Sequence, residues 1–177
     1  MSVPEPLRRS LPYLGVAVGV VFYVAVSFNG GLGYSRESRP LPALSATTVG
    51  TGAEVTDQSL RGKPAIINVW APSCFPCTRE MPSLDRLAER YQGKVSVLAL
   101  TAWGSTEEVE AVTSQKHIQS LPVLVGGESF LKELDIESVP TTLFVDATGR
   151  IVARQVGIRG EGFFREQAER LLNGEPL

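Results

Sequence analysis

Hydrophobic positions follow two kinds of pattern along this chain. Leu11 to Phe28 (LPYLGVAVGVVFYVAVSF) is apolar almost throughout, and no charged side chain occurs from Ser10 to Ser35. Farther on, short apolar runs alternate with helical spacings. Short extended segments are expected around Ala46–Val49 and Ala53–Thr56, followed by a turn over Leu60–Pro64. Ala65 to Trp70 (AIINVW) and Val95 to Thr101 (VSVLALT) read as buried strands, and Leu121 to Val125 as another. Between them Met81, Leu84, Leu87, Ala88 and Tyr91 recur at helical spacing, with Gly93 as a stop. Ser105 and Glu108 make a capping box for a helix over roughly 105 to 116. Glu128 to Leu134 predicts a short helix. Thr142–Asp146 and Ile151–Val156 predict a hairpin around Ala147-Thr148-Gly149-Arg150. Phe163, Phe164, Gln167, Ala168, Leu171 and Leu172 outline the inner face of a last helix ending at Asn173-Gly174. Strands alternating with helices, then a hairpin and a helix, predict a mixed α/β sheet covered on both faces.

The first apolar run is just long enough to span a bilayer, which takes about 17 to 25 residues. Arg8 and Arg9 precede it and Arg36 and Arg39 follow, so the charge asymmetry is slight. The expected organisation is a cytoplasmic N-terminus over 1–10, a transmembrane anchor over 11–28, a linker over 29–40 (NGGLGYSRESRP) and a folded domain over 41–177. A cleaved signal peptide ending near Ala25-Val26-Ser27 is the alternative, although the run exceeds the usual apolar segment of about 7 to 15 residues. Either reading exports the remainder. Gly15 and Gly19 have the spacing that lets two anchors pack closely.

Composition changes this picture little. The chain has 177 residues, 43% hydrophobic and 20% charged, with a formal net charge of −2. No basic stripe is present, which argues against a nucleic-acid partner.

Both cysteines of the chain, Cys74 and Cys77, lie in WAPSCFPCTREMP, directly after a predicted buried strand. As a staple the pair would close a tiny loop and stabilise little. As a metal site it lacks ligands, because tetrahedral zinc wants four and the single histidine, His117, is forty residues away. A copper site using both thiols and His117 is the form that a metal reading would take. A redox pair explains more. At a helix start, unpaired N–H groups and the helix dipole favour a thiolate. That placement makes Cys74 the accessible nucleophile and Cys77, one turn inside, the resolving thiol. Pro76 suits the first helical turn.

Trp70-Ala71-Pro72-Ser73-Cys74-Phe75-Pro76-Cys77, with Glu80, Pro82 and Val139-Pro140-Thr141, resembles a thioredoxin-fold protein. The anchor, the Cys77-to-Glu80 spacing and an insert around His117–Ile136 resemble the membrane-anchored TlpA/ResA/CcmG-like thiol–disulfide oxidoreductases of bacteria. The resemblance covers about residues 41 to 173. It implies a thioredoxin-like sheet with an N-terminal β extension and a central insert, a cis Pro140 beside the disulfide, and Pro82 kinking the long helix. It also implies that the backbone of Val139 pairs with an extended substrate segment, with Trp70 and Phe75 completing the substrate face. Two departures stand out. Ser73 replaces the tryptophan that many members carry before the first cysteine. Asn68 stands where thioredoxin has a buried aspartate, so Glu80 becomes the candidate carboxylate; its bland alternative is a solvated glutamate pairing with Arg79 or Arg86.

These observations predict an extracytoplasmic thiol–disulfide oxidoreductase with no cofactor beyond the Cys74–Cys77 disulfide. The resemblance implies reduction of disulfides in exported proteins, in cytochrome c maturation or related metalloprotein assembly. A membrane thiol–disulfide carrier would be the electron donor. A disulfide-forming oxidant and a copper-delivery module using His117 are the alternatives.

Overall fold

The computed structural model describes residues 33–177. The anchor or signal peptide read at 11–28, the N-terminal segment before it and the start of the linker lie outside the described residues. Among the described residues, no helix is long and apolar enough to cross a membrane.

Eight strands form one sheet: β1 (Tyr34–Pro40), β2 (Ser45–Thr48), β3 (Glu54–Thr56), β4 (Ala65–Val69), β5 (Ser96–Thr101), β6 (Val123–Gly126), β7 (Thr141–Val145) and β8 (Arg150–Val156). Among the described residues, four α-helices accompany them: α1 (Phe75–Arg90), α2 (Thr106–Gln115), α3 (Glu128–Glu133) and α4 (Glu161–Asn173). The strand order is β1-β8-β7-β4-β5-β6-β2-β3. β4, β5 and β6 run parallel, whereas β7 is antiparallel to β4 and β8 to β7. This is the thioredoxin-like mixed sheet, widened at one edge by the β2–β3 hairpin.

β4 is central and buried along its whole length. Side chains alternate across a strand. Ala65, Ile67 and Val69 accordingly join Leu98, Leu100, Leu124, Leu143 and Val145 in one core layer, completed by Phe130, Leu131 and Leu134 from the α3 region. Ile66, Asn68 and Trp70 take the opposite face, the side of α1 and α4. There Met81, Leu84, Leu87, Phe164 and Ala168 are buried. An ion pair joins the two helices, Arg86 to Glu161 at 2.8 Å. Tyr91 Oη also donates to Glu169 Oε1 at 3.1 Å.

The helix starts follow local chemistry. Ser105 caps α2 through the predicted box: Glu108 N–H donates to Ser105 Oγ at 3.2 Å, and Ser105 N–H to Glu108 Oε2 at 2.8 Å. The hairpin turn is held by Asp146 Oδ1, which accepts from the N–H groups of Thr148 and Arg150 at 2.9 and 3.0 Å. Burial alone would raise the Asp146 pKa, but hydrogen bonds from Thr148 and Arg150, with the Arg150 charge, outweigh it and hold the carboxyl below its ordinary value. Pro82 lies inside α1 without ending it.

Two expectations need correction. The linker read over 29–40 is a strand from Tyr34 onward. β1 carries no apolar alternation because it is an edge strand held by polar contacts: Glu37 pairs with Arg154 at 2.7 Å, and Arg150 Nη2 donates to the Ser38 carbonyl at 3.0 Å. Leu172, assigned to the inner face of α4, is 39% exposed, while Leu171 beside it is buried.

Candidate functional site

The CxxC occupies the turn that leaves β4 and enters α1. Cys74 is the N-cap of α1 in extended backbone, and its sulfur accepts from the Cys77 N–H at 3.3 Å. The first turn of the helix therefore directs a backbone donor at the Cys74 sulfur, the arrangement that favours a thiolate once the bond opens. The two sulfurs are bonded at 2.03 Å. Cys74 is half-buried and Cys77 fully buried, so an incoming group reaches Cys74 first. Pro76 lies in the first helical turn, where a missing N–H costs nothing.

The Val139–Pro140 peptide bond is cis. It lies beside the disulfide, with the Val139 carbonyl oxygen 3.8 Å from Cys74 Sγ. The loop is tied to the end of β8 by Gly157 N–H, which donates to the Pro140 carbonyl at 2.8 Å. Val139 is thus placed next to the reacting sulfur, while Pro140 itself is buried.

Glu80 is 2% exposed, not a solvated helix residue. Its Oε1 accepts from the Arg159 N–H at 2.6 Å, and its Oε2 from Asn68 Nδ2 at 3.0 Å. Burial pushes its pKa up to about 7, against the lowering effects of the Arg159 N–H, the Asn68 amide and the Arg159 charge. A carboxyl that titrates near neutrality, one helical turn beyond Cys77, suits proton exchange with a thiol.

Trp70 departs from expectation. Its side chain is fully buried beneath α1, on the same strand face as Asn68, so it supports the site from below and presents nothing to a substrate. Phe75, in contrast, is 69% exposed beside Cys74. Trp103 and Ile158 on loops, and Val156 at the end of β8, are further large apolar side chains exposed at this end of the sheet. The Thr101 hydroxyl fixes the Trp103 backbone, accepting from its N–H at 3.1 Å and donating to its carbonyl at 2.9 Å. A Cβ on Gly104 would come within 2.9 Å of Pro72 Cγ, so this turn packs directly on the loop preceding Ser73 and Cys74.

His117 is placed elsewhere. It lies in the turn that follows α2 and leads into β6, whereas the CxxC follows the far end of β4. Because β4, β5 and β6 are parallel, those turns sit at opposite ends of the sheet. That separation removes the basis for a copper site shared by the cysteines and His117. Among the described residues, no cluster of three or more His, Cys, Asp or Glu side chains is placed to hold a metal ion.

Sequence reasoning missed Arg159, Thr142, Gln155 and Trp103. Thr142 was accessible in principle, since it alternates inward with Phe144 on β7. Arg159 follows β8 in a loop and carries no sequence signal.

Comparison with known proteins agrees with this geometry. The family model described as Redoxin matches residues 36–172. A thioredoxin-like protein of Bacillus subtilis, YneN, is 30% identical over 125 residues, covering 69% of this chain and 72% of the relative. The thiol:disulfide interchange protein DsbE of Pseudomonas fluorescens is 29% identical over 135 residues, 73% of this chain and 71% of its own. A thioredoxin-family thiol:disulfide interchange protein of Chlorobium tepidum superposes with a TM-score of 0.68 at 23% identity, over 78% of this chain and 99% of that one.

Proposed function

The chain belongs to the Redoxin family, among the TlpA/ResA/CcmG-like thiol–disulfide oxidoreductases, and from that premise we propose that it reduces disulfides of exported proteins while anchored to the membrane. The observation that carries the reading is the half-buried Cys74 sulfur at a helix N-terminus, bonded to a buried Cys77 one turn from the buried carboxyl of Glu80. The apolar run over 11–28 supports export and anchoring. Cytochrome c maturation, or assembly of a related metalloprotein, is the setting that the resemblance implies.

In the reduced protein the Cys74 thiolate attacks one sulfur of the client disulfide, forming a mixed disulfide and releasing the other client sulfur as a thiolate. The Val139 backbone beside Cys74 aligns the client segment. Glu80 then takes the proton from the Cys77 thiol, and the Cys77 thiolate attacks Cys74 Sγ. The second client sulfur leaves, and both client thiolates take up protons. The client gains two electrons and the protein is left with the Cys74–Cys77 disulfide. A membrane thiol–disulfide carrier restores the dithiol.

Equilibration of the pair with glutathione tests the direction. A potential near that of thioredoxin, about −270 mV, supports a reductant; one near about −120 mV transfers the protein to the disulfide-forming class.

A further inference from the structure

β1 enters the sheet beside β8. The contacts between the two strands run in opposite senses: Leu41 N–H donates to the Gly149 carbonyl at 2.9 Å, Ser38 meets Arg150, and Glu37 meets Arg154. Going back along β1 means going forward along β8, so Tyr34, where β1 begins, lies at the Val156 end. That is the end of the sheet that carries the disulfide. Val156 is in register with Thr141, the residue after cis Pro140, and Thr141 with Val69, the last residue of β4 before the CxxC turn. With β8 and β7 between them, the start of β1 and the end of β4 are three strand spacings apart, about 14 Å.

The sequence leaves only Asn29 to Gly33 between the apolar run ending at Phe28 and Tyr34. Fully extended, that stretch reaches about 20 Å. A second observation belongs to the same end. Among the described residues, five large apolar side chains are exposed, and four of them, Phe75, Trp103, Val156 and Ile158, lie at the CxxC end. The fifth, Leu172, is near the end of α4.

We infer that the disulfide face of the domain is its membrane-facing surface, with these four side chains resting against the headgroup layer of the bilayer in which the chain is anchored. The inference rests on the anchoring reading given above. A tether entering at the other end of the sheet would add the length of β4, about 17 Å, to the distance between Cys74 and the bilayer. Entering beside Val156, it holds Cys74 within about 35 Å of the lipid. The apolar rim then turns that end toward the surface, because aromatic side chains such as those of Phe75 and Trp103 bury apolar area at the headgroup level, where the indole N–H of Trp103 also finds acceptors. A client covers this rim only during exchange, whereas the bilayer stays within reach throughout. A thiol donor embedded in the same bilayer therefore meets Cys74 at the membrane surface.

Energy transfer to a headgroup-labelled lipid tests this, with the full-length chain in nanodiscs of phosphatidylcholine and phosphatidylglycerol. One donor dye is placed on Cys74 in Cys77→Ser. The other is placed on Lys94→Cys in a chain that also carries Cys74→Ser and Cys77→Ser. Lys94 is exposed just before β5, which runs parallel to β4, so it marks the opposite end of the sheet. Transfer from position 74 should exceed that from position 94 at least about twofold, since the two ends differ in height by about 17 Å. Trp103→Ser with Ile158→Ser, both at exposed positions, should bring the two efficiencies closer together while the chain stays in the nanodisc. Equal transfer from both positions, or stronger transfer from position 94, would overturn the orientation. Unchanged transfer in the double serine variant would overturn the contact between rim and lipid. Failure of the anchoring reading looks different: the chain would not remain with the nanodiscs, neither label would transfer, and the inference would fall with it.

Discussion

The backbone N–H of Arg159, in the loop after β8, donates to Glu80 Oε1 at 2.6 Å and so ties the end of the sheet to the helix that carries both cysteines. Even with this donor, burial holds the carboxyl proton to a pKa of about 7. The pH dependence follows with a definite sign. A folded-state pKa raised above the ordinary 4.5 means that the native protein binds the proton more tightly than the unfolded chain. Its contribution is fully present below pH 4.5 and is lost as pH rises through 7. The oxidised protein should lose roughly 3 kcal/mol from this group across that window. Glu80→Gln should flatten that part of the profile, as measured by chemical unfolding at a series of pH values.

The same substitution should act on the thiols. A negative charge at Glu80 disfavours a neighbouring thiolate, so Glu80→Gln should lower the pKa of at least one active-site thiol. It should also slow reduction of a protein disulfide at neutral pH, because the base that activates Cys77 is gone. Titration of thiolate absorbance, with a stopped-flow reduction assay, checks both. Unchanged values in both assays would return Glu80 to a structural role.

Phe75 and Trp103 should matter for protein clients and little for small ones. Both are exposed at the end of the sheet that carries Cys74, and Trp103 is fixed by Thr101 beside the loop where Ser73 leaves the aromatic position empty. Trp103→Ala should reduce kcat/KM for a protein disulfide about tenfold, the scale of a truncated aromatic at an interface. Reduction of glutathione disulfide should stay close to wild type.

Asp85 is a structural test of the insert. Its Oδ1 accepts three successive backbone N–H groups, from Gln119, Ser120 and Leu121, at 3.0, 2.7 and 2.8 Å. Asp85→Ala removes these bonds, two of them to exposed donors that water can take up, and should destabilise the protein by about 1 kcal/mol, read from denaturant unfolding, with redox activity of the folded fraction retained.

Much of this architecture was legible in the sequence, and the gaps have physical causes. Continuous apolar runs marked β4 and β5 because both faces of a central strand are buried. The same continuity hides which residues face which layer, and Trp70, which the resemblance places on a substrate surface, shares the inward face of Asn68 and is fully buried. β1 was read as linker because an edge strand held by Glu37–Arg154 and Arg150–Ser38 contacts has no hydrophobic alternation to detect. The redox pair was plain from the spacing of Cys74 and Cys77 and the helix that follows them. The environment of Glu80 was not, because it is assembled from Asn68, Thr142 and Arg159, residues distant in the chain.

In this mechanism Cys74 attacks the client and Cys77 resolves the complex. Trapping in cells expressing Cys77→Ser or Cys74→Ser tests it most directly, with mixed disulfides separated on non-reducing gels. Cys77→Ser should accumulate client proteins joined through Cys74, released by dithiothreitol, while Cys74→Ser should trap few or none. Clients captured by Cys74→Ser and not by Cys77→Ser would contradict the account.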